Sequence, residues 1–177
     1  MCGVMAIRFV AKLENGKVRL PRQQGLEELA QRGYGVYQED GSLLLSPCEA
    51  LYLLERKRIK VVNEEKLDFQ SLLSRLASQR GQGLWAKYMI YRDLRRRGYV
   101  VREGVGLGLD FRVYEKGEYG KKPAKYLVYG ILEGLPIPIK KITQLLSHTQ
   151  SLKKRLILAV VDRRGEIVYY TVSTLNI

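Results

Sequence analysis

The chain has 177 residues, 46% of them hydrophobic, enough for one sizeable domain or two small ones and enough to exclude global disorder. No apolar run approaches the roughly 20 residues of a membrane span, and the N-terminal MCGVMAIRFVAK reads without a leader, so a cytoplasmic protein with no membrane attachment is expected. The net charge is +13 and it is one-sided: residues 1–80 hold 13 basic and 10 acidic side chains, residues 81–177 hold 18 and 8, so the C-terminal half carries most of the field that would attract a polyanion such as nucleic acid.

In chain order, MAIRFVAKLENGKVRL reads as two strand-like pieces around the turn Glu14-Asn15-Gly16, a good hairpin signal. Gly25 to Arg32 is a short amphipathic helix ended by Gly33, and GYGVYQEDGSLLL offers a second hairpin around Asp40-Gly41. Ser46, Pro47 and Glu49 then form a strong helix start with a capping box, and the basic run Arg56-Lys57-Arg58 is expected to close that helix near its negative end. Ile59–Val62 reads as a strand, and a helix follows from Leu67 to about Gln79, with Phe69, Leu72, Leu73 and Leu76 at helical spacing. The polar, glycine-rich Gln79–Gly83 breaks the pattern and is the expected domain boundary. Beyond it, LWAKYMIYRDLRRRG is a helix with Leu84, Tyr88, Tyr91 and Leu94 as its apolar stripe and Lys87, Arg92, Arg95 and Arg96 on other faces. Strands follow at Tyr99–Arg102, Asp110–Tyr114 and Tyr126–Ile131, then a helix from about Ile139 to Gln150, a strand Leu156–Val161, the turn Asp162-Arg163-Arg164-Gly165 and a last strand Glu166–Ser173. The expected architecture is α/β: an α+β N-terminal domain over 1–80, then a mixed-sheet, nuclease-like α/β domain over 84–177. Cys2 and Cys48 have neither metal-site nor disulfide-framework spacing and read as free thiols, with a bridge, as in a hyperthermophile, the alternative, and neither a metal nor a cofactor is called for.

Four segments, in this order and at this spacing, resemble the archaeal tRNA-splicing endonucleases. LLLSPCEALYLLERKRIKV is similar to the N-terminal-domain helix and strand of that family. KYMIYRDLRRRGYVVREG resembles the first helix and strand of its catalytic domain, GLGLDFRVYEKG the motif of its reactive tyrosine, and SLKKRLILAVVDRRGEIVYYTV its closing strand–turn–strand. The resemblance implies RNA cleavage by attack of a ribose 2′-hydroxyl on the adjacent phosphate, leaving 2′,3′-cyclic phosphate and 5′-hydroxyl ends. That chemistry needs a base, an acid and a cation, which the family supplies as tyrosine, histidine and lysine.

Tyr114 matches the tyrosine and Lys154 the lysine. The histidine of such enzymes opens a motif of the form HSKYLV; here the motif is Pro123-Ala124-Lys125-Tyr126-Leu127-Val128. Proline has no proton to donate. His148, the one histidine of the chain, lies in a different segment and reads as a helix-terminal residue. Lys121 and Lys122 are close by, but a lysine, with an ordinary pKa of about 10.4, is a poor leaving-group acid at neutral pH. Tyr114 and Lys154 also have plain readings, as an anchored strand tyrosine and a basic surface residue. No active site is therefore expected to be complete in this chain.

By the same resemblance, such a chain is expected to be a structural subunit in a heterotetramer, two of each chain, with a catalytic partner. Its last strand, Val168-Tyr169-Tyr170-Thr171-Val172, would pair across a two-fold-like axis. The loop carrying Asp162 and Glu166 would correspond to one that docks acidic residues on an opposing subunit, although Arg163 and Arg164 dilute its acid and suggest that this chain supplies the basic groove. The substrate implied is precursor tRNA with a bulge-helix-bulge, recognised by shape and phosphate contacts, with Arg92, Arg95, Arg96, Lys121, Lys122 and Lys153 as candidate contacts. A self-sufficient homo-oligomeric nuclease with an unconventional acid, and a basic RNA-binding scaffold outside splicing, are the competing readings.

Overall fold

A computed structural model describes residues 8–80, 83–104, 106 and 108–174. Cys2 and the first residues of the predicted N-terminal strand lie outside the described residues. The chain divides into two compact units, Met1–Tyr88 and Met89–Ile177. The division falls inside a helix, whereas the sequence pointed to the glycine-rich Gln79–Gly83. Tyr88 accounts for this, because its ring packs on Phe69 at 5.3 Å and ties the first half of that helix to the first unit.

The first unit is built on a six-stranded mixed sheet in the order β3-β4-β2-β1-β5-β6. Strands β1 (Phe9–Glu14) and β2 (Lys17–Leu20) form the predicted hairpin. Asn15 (φ 48°) and Gly16 (φ 69°) supply the two left-handed residues that a two-residue hairpin turn requires. α1 (Leu26–Gln31) follows, then β3 (Val36–Tyr37) and β4 (Leu43–Leu45).

α2 (Pro47–Glu55) carries the complete capping box: Ser46 Oγ accepts from the Glu49 N–H at 3.4 Å and Glu49 Oε2 accepts from the Ser46 N–H at 2.9 Å. Glu49 is 2% exposed and accepts a further bond from the Gly35 N–H at 3.0 Å, so one carboxylate holds the helix start and the strand before it. Arg56-Lys57-Arg58 does not close α2 by charge. Arg56 is already the C-cap, Lys57 is left-handed (φ 53°), and the three backbone N–H groups bond back to Tyr52, Leu54 and Leu53. β5 (Ile59–Asn63) lies parallel to β1, and β6 (Glu65–Leu67) turns back antiparallel on β5. The sequence reading missed β6, a three-residue edge strand with one buried side chain, and began the next helix at Leu67. α3 in fact spans Phe69–Arg80, with Asp68 Oδ1 accepting from the Ser71 N–H at 2.7 Å as its cap.

The second unit is a five-stranded sheet in the order β11-β10-β9-β8-β7. α4 (Leu84–Arg96) leads into β7 (Val100–Glu103), β8 (Phe111–Tyr114) and β9 (Tyr126–Leu132), all antiparallel neighbours. α5 (Ile139–Ser151) crosses over so that β10 (Arg155–Val161) runs parallel to β9, and β11 (Ile167–Val172) closes the sheet antiparallel to β10. This is an α/β fold.

Strand alternation divides the side chains of this sheet between two faces. On one, Tyr91 of α4 packs on Phe111 at 5.9 Å. On the other, Leu145 of α5 clusters with Leu109, Leu127 and Leu156, with Tyr129, Leu146, Leu158 and Val172 around them. Leu84, Tyr88, Tyr91 and Leu94 are all buried, as their spacing requires. Cys48 is a buried free thiol.

Candidate functional site

Three strand ends of the second unit meet at one edge of the sheet. Tyr114 is the last residue of β8. The Lys125 N–H donates to the Val113 carbonyl at 3.0 Å, and the Arg155 N–H donates to the Lys125 carbonyl at 3.1 Å, so the end of β8 and the starts of β9 and β10 are stitched together. Lys154 is set by the end of α5: Leu152 caps the helix, Lys153 takes a left-handed turn (φ 54°), and the Lys154 N–H returns to the Thr149 carbonyl at 3.0 Å. From there Lys154 Nζ donates to the Ala124 carbonyl at 2.5 Å. The fold thus brings Lys154 to the segment that contains Pro123, beside the strand that ends in Tyr114.

Pro123 is exposed and stands one residue before the carbonyl that Lys154 holds. The loop from Glu115 to Lys125 is ordered by its own contacts. Glu115 Oε1 accepts from Lys125 Nζ at 2.6 Å and from the Tyr126 hydroxyl at 3.0 Å. These two bonds, the lysine's first, hold the Glu115 carboxyl below the usual carboxylate range, and the same contact raises Lys125. Lys122 Nζ pairs with Glu118 at 2.6 Å, which raises its pKa above that of an ordinary lysine and makes it a still weaker acid. The Tyr119 ring meets Tyr114 edge-on, 5.0 Å between centroids. Neither Tyr119 nor the Glu115 network was singled out in the sequence; the loop partners are separated by 5 to 11 residues, a spacing that no helix or strand period marks.

The other predicted residues are placed as follows. Lys121 and Lys153 are exposed at the same edge as Tyr114. Arg92, Arg95 and Arg96 ride on α4, whose Tyr91 packs on the opposite face of the sheet, so the fold does not gather them around the Tyr114 side chain. His148 is in the last turn of α5, its carbonyl accepting from the Ser151 hydroxyl at 2.7 Å.

β11 is an edge strand, with Val168 52% and Tyr170 54% exposed. Tyr169 points the other way. Its hydroxyl donates to Asp93 at 2.7 Å, Arg97 pairs with the same carboxylate at 2.8 Å and lies over the ring, and burial pushes the Tyr169 phenol well above its ordinary value. Asp162 is spent on its own turn, accepting from the Arg164 and Glu166 N–H groups at 2.8 Å each, while Glu166 is exposed.

Residues 84–169 match the catalytic C-terminal domain of the tRNA intron endonucleases, and residues 10–73 match the N-terminal domain of the same enzymes. The chain belongs to the tRNA intron endonuclease family. It is 34% identical over 169 residues to a tRNA-splicing endonuclease of Methanococcus vannielii, covering 94% of each chain. It is 33% identical over 163 residues to that of Thermococcus onnurineus, covering 92% of this chain and 94% of the other. A tRNA-splicing endonuclease of Methanosarcina acetivorans is 38% identical over 166 residues that make up 92% of this chain but 46% of its own, longer one. Membership of this family makes cleavage of tRNA introns the process in which the strand-end constellation of Tyr114, Pro123 and Lys154 is to be read. Among the described residues, no helix is long and apolar enough to cross a membrane.

Proposed function

We propose that this chain is the non-catalytic, structural subunit of a heteromeric, cytoplasmic tRNA-splicing endonuclease, in which two copies join two catalytic chains on precursor tRNA. The single observation that carries the reading is Pro123: it takes the place where the family has its proton donor, at a strand-end edge that otherwise retains Tyr114 and Lys154. A 2′-hydroxyl attack expels a 5′-oxygen that must be protonated as it leaves, and proline cannot do this. The neighbours do not compensate. Glu115 is committed to Lys125 and Tyr126, and Lys122 is committed to Glu118.

Residues 1–80 and 84–177 would act as the two domains of this subunit. Precursor RNA would meet the basic edge formed by Lys121, Lys122 and Lys153, with Arg92, Arg95 and Arg96 on a separate surface. Exposed Val168 and Tyr170 on the β11 edge support pairing of that strand with another chain, since an unpaired apolar edge invites aggregation. Asp162 and Glu166 would complete the contact, but Asp162 is engaged by its own turn, which favours a partner that brings the acidic loop to a basic groove here. Neither a metal nor a cofactor enters this reaction scheme.

The test mixes purified chain with intron-bearing precursor tRNA, alone and with a catalytic chain of the same family. Cleavage is expected only in the mixture, and robust cleavage by this chain alone would refute the reading. A second reading, a self-sufficient homo-oligomer with another acid, is favoured by the retention of Tyr114 and Lys154. It requires the isolated chain to cut RNA and to lose that activity on Tyr114→Phe or Lys154→Ala.

A further inference from the structure

Residues 1–80 hold 13 basic and 10 acidic side chains, close to balance, but the fold of the first unit sorts them. Ala11, Val18, Leu20, Ile59 and Val61 are buried on the side of the six-stranded sheet where α2 packs on β2 and β5. The alternate side chains form the other face. One row crosses all six strands there, in the paired steps Val36–Leu44–Arg19–Lys12–Val62–Lys66. Lys17 and Lys60 stand in the rows on either side of it. The acids go mainly elsewhere, Glu27 and Glu28 to α1 and Glu49 and Glu55 to α2. On the basic face Glu14 stands opposite Lys17, and Asp40 reaches in from a turn to hold Arg19 at 2.8 Å. Lys12, Lys17, Lys60 and Lys66 make no ion pair among the described residues. Lysine on an edge strand is an ordinary guard against strand pairing, but β1 and β2, which carry Lys12, Lys17 and Arg19, lie in the interior of the sheet.

We infer that this outer face of the first unit's sheet binds the phosphate backbone of a double-helical part of precursor tRNA. Its charge is complementary to a polyanion, and the face is open: Lys12, Lys17 and Lys66 are exposed, and Val10 and Val36 are 47% and 55% exposed beside them. Neighbouring strands lie about 4.8 Å apart, so Lys12 and Lys66, two strands apart in one row, are separated by about 10 Å across a flat surface. The strands carry no aromatic residue at these alternate positions, so the face has no ring on which an unpaired base could stack. Its ammonium groups are point charges, which suit phosphates and carry no sequence information. The inference rests on the reading that this chain contacts precursor RNA. It adds a contact made by the first unit, whereas Arg92, Arg95, Arg96, Lys121, Lys122 and Lys153 all belong to the second.

The test uses the full chain and a fluorescein-labelled, intron-bearing precursor tRNA, with Kd followed by anisotropy across a sodium chloride titration. Lys12→Thr/Lys66→Thr is compared with Arg56→Gln/Arg75→Gln, which removes the same charge from the exposed helical side of the first unit, and with Lys12→Arg/Lys66→Arg. The threonine pair should bind about tenfold more weakly at 0.1 M salt, with a salt slope shallower by about 1 to 2. The same loss is expected with an intron-free tRNA, since duplex phosphates suffice. The glutamine pair should change both readouts less, and the arginine pair should bind as wild type. The thermal midpoint of the threonine pair should not fall, because both lysines are exposed and threonine suits a strand. Wild-type affinity and slope in the threonine pair would overturn the inference, as would an equal loss in the glutamine or arginine pair or a loss confined to the intron-bearing RNA. Unchanged RNA binding with lost binding to phosphatidylserine vesicles would overturn it too, assigning the face to an anionic membrane. Failure of the wild-type chain to bind either RNA would instead overturn the underlying reading that it contacts RNA.

Discussion

Pro123→His should convert this chain into a nuclease. The proline is exposed, so an imidazole there displaces no core residue. It immediately precedes Ala124, whose carbonyl is already held by Lys154 Nζ at 2.5 Å, and the next residue, Lys125, is tied by its N–H to Val113 at 3.0 Å, one position before Tyr114. An imidazole at 123 would therefore enter the strand-end edge shared by the other two groups without any strand having to move. A positioned general acid contributes about 10²–10⁴-fold to a rate, and the gain should fall in that range.

The assay is single-turnover cleavage of end-labelled, intron-bearing precursor tRNA, with 2′,3′-cyclic phosphate ends identified on the product. The gained rate should decline as pH rises through about 6.5, the ordinary histidine range, as the acid loses its proton. Tyr114→Phe in the Pro123→His background should abolish the gain. A folded Pro123→His variant with no cleavage above wild type would refute the claim that the missing proton donor is what silences this chain.

Further outcomes follow from the same geometry. Glu49→Ala should destabilise the first unit by about 1–3 kcal/mol in urea unfolding, because it strands the Ser46 and Gly35 N–H groups and leaves only the Ser46 half of the capping box. Hydrogen bonds from Ser42 hold Asp40 below its ordinary value, those from Ser71 do the same for Asp68, and those from Lys125 and Tyr126 for Glu115. The unfolded chain then binds more protons than the folded one, so stability is full above about pH 4 and is lost as pH falls through the folded values; Asp40→Asn with Asp68→Asn should flatten the acid limb of a midpoint-versus-pH curve. Tyr169, raised chiefly by burial and then by its bond to Asp93, should be among the last tyrosines to ionise in an alkaline absorbance titration, and its contribution to stability should fade as pH rises above about 10. Val168→Lys with Tyr170→Glu should weaken assembly with the catalytic chain in sedimentation experiments while leaving the thermal midpoint nearly unchanged, since both side chains are more than half exposed.

Local signals in the sequence carried the elements well wherever chemistry acts over a few residues. Ser46, Pro47 and Glu49 dictate a helix start by hydrogen bonds three residues apart, and Asn15-Gly16 dictates a turn by its tolerance of positive φ. β6 escaped notice because its three residues form an edge strand only through pairing with β5, and three residues do not make a period. The compact units divide at Tyr88, beyond the glycines at 81 and 83 that dominate the local pattern, because Tyr88 contacts Phe69, 19 positions away.

The residue types at the strand-end edge were in the sequence by itself: a tyrosine ending one strand, a lysine just before another, and a proline at position 123. Those are properties of side chains, and no fold can give proline a proton. Which groups share that edge was decided only by the tertiary structure. The Lys154 ammonium rests on a carbonyl 30 residues earlier, Tyr119 folds back onto Tyr114, the α4 arginines go to the far side of the sheet, and Arg102 comes to face Arg112. Such pairings are set by strand register and by the α5 crossover, long-range choices that one-dimensional spacing does not encode.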